Sequence, residues 1–378
     1  MSEGGKDKNG KPEVPRSFIT ECLRANEHGD GILYAAMMSD RFVYNVHTNE
    51  WLAWDGHHWE LDVDCRHQSA VAEVAQVYQQ EAIQLVNDIV KAPDGEKKRL
   101  EAIQKNLYRR VERLNSNRGW DGTCQMAWKN TEMPLQVRND VLDADPWLMG
   151  VKNGVIDLKT GELITGRRDQ WITKSAPTEY RGVLEPSPLW EQTLHDIFDG
   201  DMTLVEYVQR VFGYAITGLI REHILPVWWG QGRNGKGLVM ETVSRVLGPL
   251  SGPIQSEMLM DQGRGRSSSG PSPDIMSLRG MRIAFSSETD DGRRFSTSKV
   301  KWLSGGDSLI GRAPHDRYET KFSPTHTLFL LTNNIPHAPA EDFAFWERVQ
   351  LVSFPLSFVN REPVAENERR SDPDLPVK

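Results

Sequence analysis

The feature that most constrains this chain is a glycine turn set between two apolar segments. Residues 224–248 read ILPVWWGQGRNGKGLVMETVSRVLG. An apolar run ends at Trp229, the turn follows, and Leu238, Val239, Val243 and Val246 then recur at helical spacing after Lys236. Strand, turn and helix are predicted in that order. The spacing of Gly230, Gly235 and Lys236 fits GxxxxGK, in which small residues let backbone N–H groups close around phosphates and the lysine sets a positive charge at their outer oxygens. The helix N-terminus aims its dipole at the same place. A bare match of this kind recurs by chance, so the placement between a β-run and a helix carries the weight. One departure is Gly237, which stands where a Ser or Thr hydroxyl usually holds Mg²⁺. Mg²⁺ remains an expectation, with water or another residue filling that coordination position.

A loop that hydrolyses ATP also needs an acid at the tip of a neighbouring buried strand. In MRIAFSSETDDG the run Ile283, Ala284, Phe285 ends in Ser286-Ser287 and then Glu288, the candidate acid and, through water, the candidate metal residue. The alternative is an exposed acid in a loop shared with Asp290 and Asp291. THTLFLLTNNIP gives a second buried run, Leu328 to Leu331, ending at Thr332-Asn333. An amide there suits sensing of the γ-phosphate, although asparagine is also ordinary turn chemistry. In FAFWERVQLVSFP, Arg348 precedes a strand-like run, where it is either an arginine finger for a neighbouring subunit or a structural residue.

The chain has 378 residues, room for about two domains of ordinary size, and a net charge of −8, which argues against a broad nucleic-acid-coating face but not against a basic pore. Cys22, Cys65 and Cys124 lie far apart without CxxC spacing, which fits a reducing cytoplasm, and no apolar run approaches the ~20 residues that span a bilayer. Residues 1–16 read as a disordered leader, 17–185 as a smaller α+β domain, 186–360 as the ATPase domain, and 361–378 as a polar tail. The boundary is set at Glu185-Pro186-Ser187-Pro188, and Gly263 to Pro273 is expected to be a mobile loop. In the first domain, Phe42 to Leu61 predicts a β-meander whose Trp51, Trp54 and Trp59 are either sheet aromatics or a base-stacking platform. Ser69 to Ile89 predicts a helix ended by Ala92-Pro93-Asp94-Gly95. A second, basic helix runs from Glu96 to Asn115 and carries Lys97, Lys98, Arg99, Lys105, Arg109, Arg110 and Arg113. It is a nucleic-acid or subunit contact or, the reading favoured by base rates, a solvated face. A hairpin is predicted at Asn153-Gly154, with a further turn at Thr160-Gly161.

The ordered set GQGRNGKG, RIAFSSETD, KVKWLSGGDSLIGR, TNNIP and FWERV resembles the motifs of superfamily III helicases of the phage and plasmid primase-helicase type, relatives of poxvirus primase-helicases. The likeness covers about Trp190 to Phe358. WLAWDGHHWELD and VKNGVIDLKTGEL resemble the domain that precedes the motor in that family. The resemblance implies an α/β fold, an AAA-type P-loop ATPase core with a central parallel sheet behind the smaller α+β domain. It implies ATP and Mg²⁺ as cofactors, with Gly230, Gly232, Asn234, Gly235, Lys236 and Gly237 around the nucleotide. Lys236 becomes the phosphate-loop lysine, Glu288 the strand-end acid, Asn333 the sensor and Arg348 the finger. A hexameric ring is implied, moving along single-stranded DNA at a forked duplex, usually 3′ to 5′, with a primase or polymerase partner, in the cytoplasm of a bacterial or phage-infected cell. A primase domain precedes the motor in longer members, and no motif for one is seen here, so a fragment or a compact version is expected.

The family also has a hairpin between the acid and sensor strands that points into the pore. Between Arg293 and Lys321 seven Lys or Arg stand against three acids. Leu309 to Ala313 and Glu319 to Phe322 are the candidate arms. His315 and Arg317 at the tip are the first choices for DNA contact, and Arg312 and Lys321 the second; a solvated charged loop is the alternative. Two rival functions remain. A nucleotide-dependent DNA-binding or loading module is favoured by Gly237, and a small-molecule kinase leaves Asn333 and Arg348 without a role.

Overall fold

The computed structural model describes residues 14–263, 271–287, 292–314 and 319–375. They form two compact units, one of residues up to 55 together with 59–139, the other of 56–58 together with 140 onward.

In the first unit, helices α1 (Arg16–Arg24) and α2 (Asn26–Met38) meet at Asn26, whose φ of 56° turns the chain. Strands β1 (Phe42–Asn45), β2 (Glu50–Trp54) and β3 (Trp59–Leu61) form the expected antiparallel meander, and β4 (Gln136–Val137) joins it in parallel beside β1. Trp51 and Trp59 are buried and Trp54 half-buried, so these indoles are spent on the sheet's own packing. After α3 (Arg66–Ser69), α4 (Val71–Lys91) buries Val71, Val74, Tyr78, Ala82 and Leu85, a helical stripe that faces the core. Pro93, which cannot continue a helix, separates α4 from α5 (Asp94–Leu114), and α6 (Asn117–Lys129) follows with Ser116 Oγ capping the Gly119 N–H.

The second unit opens with β5 (Leu148–Val151), β6 (Gly154–Asp157) and β7 (Glu162–Ile164), antiparallel hairpins that turn at the predicted positions, and β8 (Ser175–Ala176) beside β5. Helix α7 (Pro188–Ile197), with proline at its first position, and α8 (Met202–Ile216) lead into the central sheet. That sheet is built from β9 (Leu225–Trp229), β10 (Ser251–Pro253), β11 (Ile283–Ser287), β14 (Thr327–Thr332) and β15 (Val349–Ser353), all parallel, in the spatial order β10-β11-β14-β9-β15. Between them lie α9 (Lys236–Leu247), α10 (Pro273–Ser277), α11 (Thr297–Leu303), the β12 (Leu309–Gly311) and β13 (Thr320–Phe322) pair, and α12 (Phe343–Trp346). A parallel pair, β16 (Ser357–Val359) and β17 (Glu368–Arg370), ends the fold.

The central strands are nearly continuous apolar runs because both faces are covered. Leu328 and Leu330 join Leu225 and Val227 in one core. Phe329 and Leu331 join Trp228, Val352 and Phe354 in the other. Phe212, Trp228 and Phe329 pack with ring centroids 5.6–5.7 Å apart. A fully buried ring such as Phe329 stabilises the fold by roughly 1.5–3 kcal/mol.

Three expected boundaries move. The division falls at 139/140, not near 185, because residues 140–185 are tied to the central sheet: the Arg282 guanidinium donates to the carbonyls of Pro146 (3.0 Å), Leu148 (2.9 Å) and Thr217 (2.9 Å). Arg16, assigned to a leader, begins α1 and bonds Glu81 at 2.8–2.9 Å, while residues 1–13 lie outside the described residues. The polar tail is structured through Arg370, where Glu368 accepts from Arg361. Of the loop from Gly263 to Pro273, residues 264–270 lie outside the described residues. Among the described residues no helix is long and apolar enough to cross a membrane.

Candidate functional site

In a parallel sheet, ligands bind outside the carboxyl ends of the strands, where consecutive connections leave in opposite directions. Here β9 is such a strand: its chain successor β10 lies at the far edge, while β14 and β15 flank it. Its carboxyl end runs straight into the glycine turn. Gly230 N–H donates to Thr332 O (3.3 Å), and the Trp229 indole N–H donates to Asn333 O (3.0 Å), which fastens the tips of β9 and β14 together.

The turn itself is tightly built. Gly232, Arg233 and Gly235 have φ of 95°, 50° and 87°. At Gly235 a Cβ would come within 2.5 Å of Ile197 Cδ1, and at Gly230 within 2.6 Å of the Phe354 carbonyl oxygen, so helix α7 and the end of β15 leave no room for side chains there. The Phe358 N–H holds Arg233 O at 2.7 Å. Gly235 is the N-cap of α9 and offers no side chain, so the first N–H groups of that helix remain for another acceptor. The amide Nδ2 of buried Asn234 likewise has no partner among the described residues.

Lys236, the first residue of α9, points back across this turn. Its Nζ donates to Gly230 O (2.6 Å) and to Asn333 Oδ1 (3.1 Å). The side chain is 7 % exposed, and burial pushes its ammonium down to about 8. Its hydrogen-bond partners are neutral oxygens, with no carboxylate in ion-pair range among the described residues. A buried cation, free helix N–H groups and an unpartnered amide converge on one spot, and together they fit a multiply charged anion such as a triphosphate.

The other expected site residues distribute as follows. Glu288 lies outside the described residues; the strand that leads to it is β11, whose Ser287 pairs with Leu331 of β14. Gly237 is exposed, and a Cβ there would meet nothing within 4 Å. Arg348 sits at the amino end of β15, where its carbonyl accepts from Leu225 N–H (2.7 Å), at the end of the sheet opposite Lys236. Its guanidinium donates to Ala344 O, and its Nε has no partner among the described residues. β12 and β13 pair as the hairpin arms, with exposed Lys321 opposite Ile310 and the Arg312 N–H held by Ser272 Oγ (3.1 Å). His315 and Arg317 lie outside the described residues. The basic stretch of sequence from Arg293 to Lys321 is partly spent: Lys301 pairs with Asp342 (2.9 Å), Arg293 approaches Glu257 (3.5 Å), and Lys299 donates to the carbonyls of Glu257 and Met260.

Residues 32–199 match the D5 N terminal like family. The chain is 25 % identical to "Putative helicase L207/L206" of Acanthamoeba polyphaga mimivirus over 93 % of its length, and 24 % identical to "Putative helicase 121R" of Invertebrate iridescent virus 3 over 71 %. A "Putative primase" of African swine fever virus is also 24 % identical over 71 % of the chain. These matches support a likeness to a primase-helicase family. The chain spans only 37 %, 29 % and 28 % of those three relatives. Among solved structures, the C-terminal region of NrS-1 is 11 % identical over 91 % of this chain and 64 % of that one, with a TM-score of 0.45.

Two residues that hold the constellation carry little signal in the sequence. Trp229 looks like the last member of an apolar strand, and only the fold reveals its indole bond to Asn333 O. Ile197 belongs to a helix far upstream, and its contact with Gly235 has no local signature.

Proposed function

We propose that the second unit is an AAA-type P-loop ATPase core of the superfamily III helicase kind, which hydrolyses ATP at subunit interfaces of a homo-oligomeric ring and moves along one DNA strand, opening a duplex. The observation that carries this reading is the buried Lys236 ammonium, held between Gly230 O (2.6 Å) and Asn333 Oδ1 (3.1 Å) at the amino end of α9. The sheet order supports it: numbered by chain order, the strands run fifth, first, fourth, third, second, with the loop strand beside the sensor strand. The helicase and primase names of the relatives support a place in DNA replication.

ATP would supply the phosphoanhydride whose cleavage drives movement. The chain's own residues divide the remaining work. Lys236 and the N–H groups of residues 232–237 bind the phosphates, Asn333 orients the attacking water, and Glu288 takes its proton and would be the residue that holds Mg²⁺, whose charge would offset that of the phosphates. Lys236 sheds its bond to Asn333 when phosphate oxygens arrive, so the same contact reports occupancy to the tip of β14. Arg348 serves the site of a neighbouring subunit. Arg312, His315, Arg317 and Lys321 grip the strand from the hairpin, and a primase or polymerase acts alongside.

The test uses two variants. Lys236→Ala is expected to abolish nucleotide binding, and Glu288→Gln to bind ATP without turning it over. Parental turnover in Glu288→Gln would refute the assignment of the acid. The second reading, a nucleotide-dependent loading module, is favoured by the missing hydroxyl at Gly237. Turnover that single-stranded DNA fails to stimulate would decide for it.

A further inference from the structure

The basic helix of the first unit lies outside everything proposed above. Between residues 97 and 113 it carries seven Lys or Arg against two acids. The fold sorts these cations into two kinds. Arg110 is buried, and donates to Asp30 (2.7 Å) and to Asn26 Oδ1 (2.9 Å), while Arg113 pairs with Glu27. These bonds fix α5 against the α1–α2 corner. Between α5 and α1 they leave a groove of about 580 Å³, lined in part by Arg24, Arg99, Arg109, Asn26 and Asn106. Arg24, Arg99 and Arg109 are exposed, and none makes a hydrogen bond or ion pair among the described residues.

Spacing identifies the ligand class. Arg99, Asn106 and Arg109 are spaced by seven and three residues, so they share one face of α5 that runs for roughly 15 Å at ~1.5 Å per residue, with Arg24 of α1 on the groove beside them. That is a row of forks, too long for one phosphate and suited to anions repeated along a chain. Guanidinium forks match phosphate oxygens two at a time. Leu23 and Ile103 on the groove wall, with the amides of Asn26 and Asn106, offer apolar and hydrogen-bonding surface between the charges, as a sugar-phosphate backbone requires.

We propose that this groove binds the phosphodiester backbone of a single nucleic-acid strand, giving the first unit a DNA contact of its own. The inference needs neither ATP nor the hairpin. The test is therefore made on the full chain carrying Lys236→Ala, without nucleotide, by anisotropy with a labelled oligothymidylate of about 16 nucleotides. With three phosphate contacts removed, Arg24→Gln/Arg99→Gln/Arg109→Gln is expected to flatten the slope of log K against log salt by about 2, which is about a hundredfold loss at ~0.1 M salt. Lys97→Gln/Lys98→Gln, outside the groove, should leave the slope at the parental value. An unchanged slope in the triple variant, or an equal loss in the lysine pair, overturns the proposal. So does binding of polyglutamate, and not of the oligonucleotide, that depends on the three arginines. Ultraviolet cross-linking of the parental chain gives a reading free of any folding defect: adducts within residues 94–114 support the groove, and adducts confined to other segments overturn it.

Discussion

The Lys236 ammonium should make nucleotide binding fall with pH in a defined way. Burial lowers it from an ordinary 10.5 to about 8, so the empty site is about half neutral near pH 8. Holding that proton in the fold at neutral pH costs about 3 kcal/mol, from 2.5 pH units at ~1.36 kcal/mol each. A triphosphate relieves the cost by pairing with the cation, so binding pulls a proton onto any site that has lost one. The terminal phosphate is already ionised above about pH 7 and adds no dependence of its own there. Affinity for a non-hydrolysable ATP analogue should therefore weaken about thirtyfold between about pH 7 and about pH 9.5, with a slope approaching tenfold per unit. Calorimetry in buffers of different ionisation enthalpy should find about 0.1 proton taken up per site near pH 7 and about 0.9 near pH 9. Stability of the empty protein runs the opposite way. A folded-state value below the unfolded one means the unfolded chain holds more protons, so the penalty is full below about 8 and fades as pH rises toward 10.5. Flat affinity across this range, or proton release on binding, would refute the picture of a desolvated lysine facing the phosphates.

Two further substitutions probe the same turn. Gly235→Ala places a Cβ within 2.5 Å of Ile197 at a φ of 87°, and is expected to cost roughly 1–2 kcal/mol in chemical denaturation and to weaken analogue binding. Gly237→Ser meets no atom within 4 Å, so the thermal midpoint should stay at the parental value while the added hydroxyl raises the Mg²⁺ dependence of analogue affinity.

What the sequence revealed depended on how local the cause was. The turn and the strand that leads to Asn333 were legible because one follows from a fixed spacing and the other from an unbroken apolar run, Leu328 to Leu331, that only a strand covered on both faces can satisfy. The pairing of Lys236 with Asn333 joins residues 97 apart, and it was expected only because the motif order placed both at strand tips. Composition misled where the deciding contact was distant. The Pro-rich stretch at 185–188 looks like a linker, yet Arg282 binds carbonyls 134 and 136 residues upstream and draws the preceding hairpins into the second unit. Two-residue strands such as β4 and β8 have no periodicity to read. Nor does a run of arginines show which one turns inward: Arg110 is set apart from Arg109 by its bonds to Asp30 and Asn26, 80 and 84 residues away.

The direction of the sheet bears on how the proposed site is completed. All five central strands run the same way, so every carboxyl tip lies on one side and every amino end on the other. Lys236 and Asn333 are fixed to the first side by β9 and β14. Arg348 is fixed to the second, because its neighbour Val349 pairs with Leu225, the residue that opens β9. Five residues of strand separate those levels, roughly 16 Å at ~3.3 Å per residue, well beyond the reach of an arginine side chain folded onto Ala344 O. Within one chain the two groups therefore cannot address the same phosphate. If Arg348 is the finger, its phosphate belongs to another copy. A head-to-tail arrangement, in which the amino side of one sheet faces the carboxyl side of the next, brings them together, and repeated with rotation it closes a ring. Opposed placement of Lys236 and Arg348 is thus what the proposed ring motor requires, and a site completed within one subunit would have no use for it.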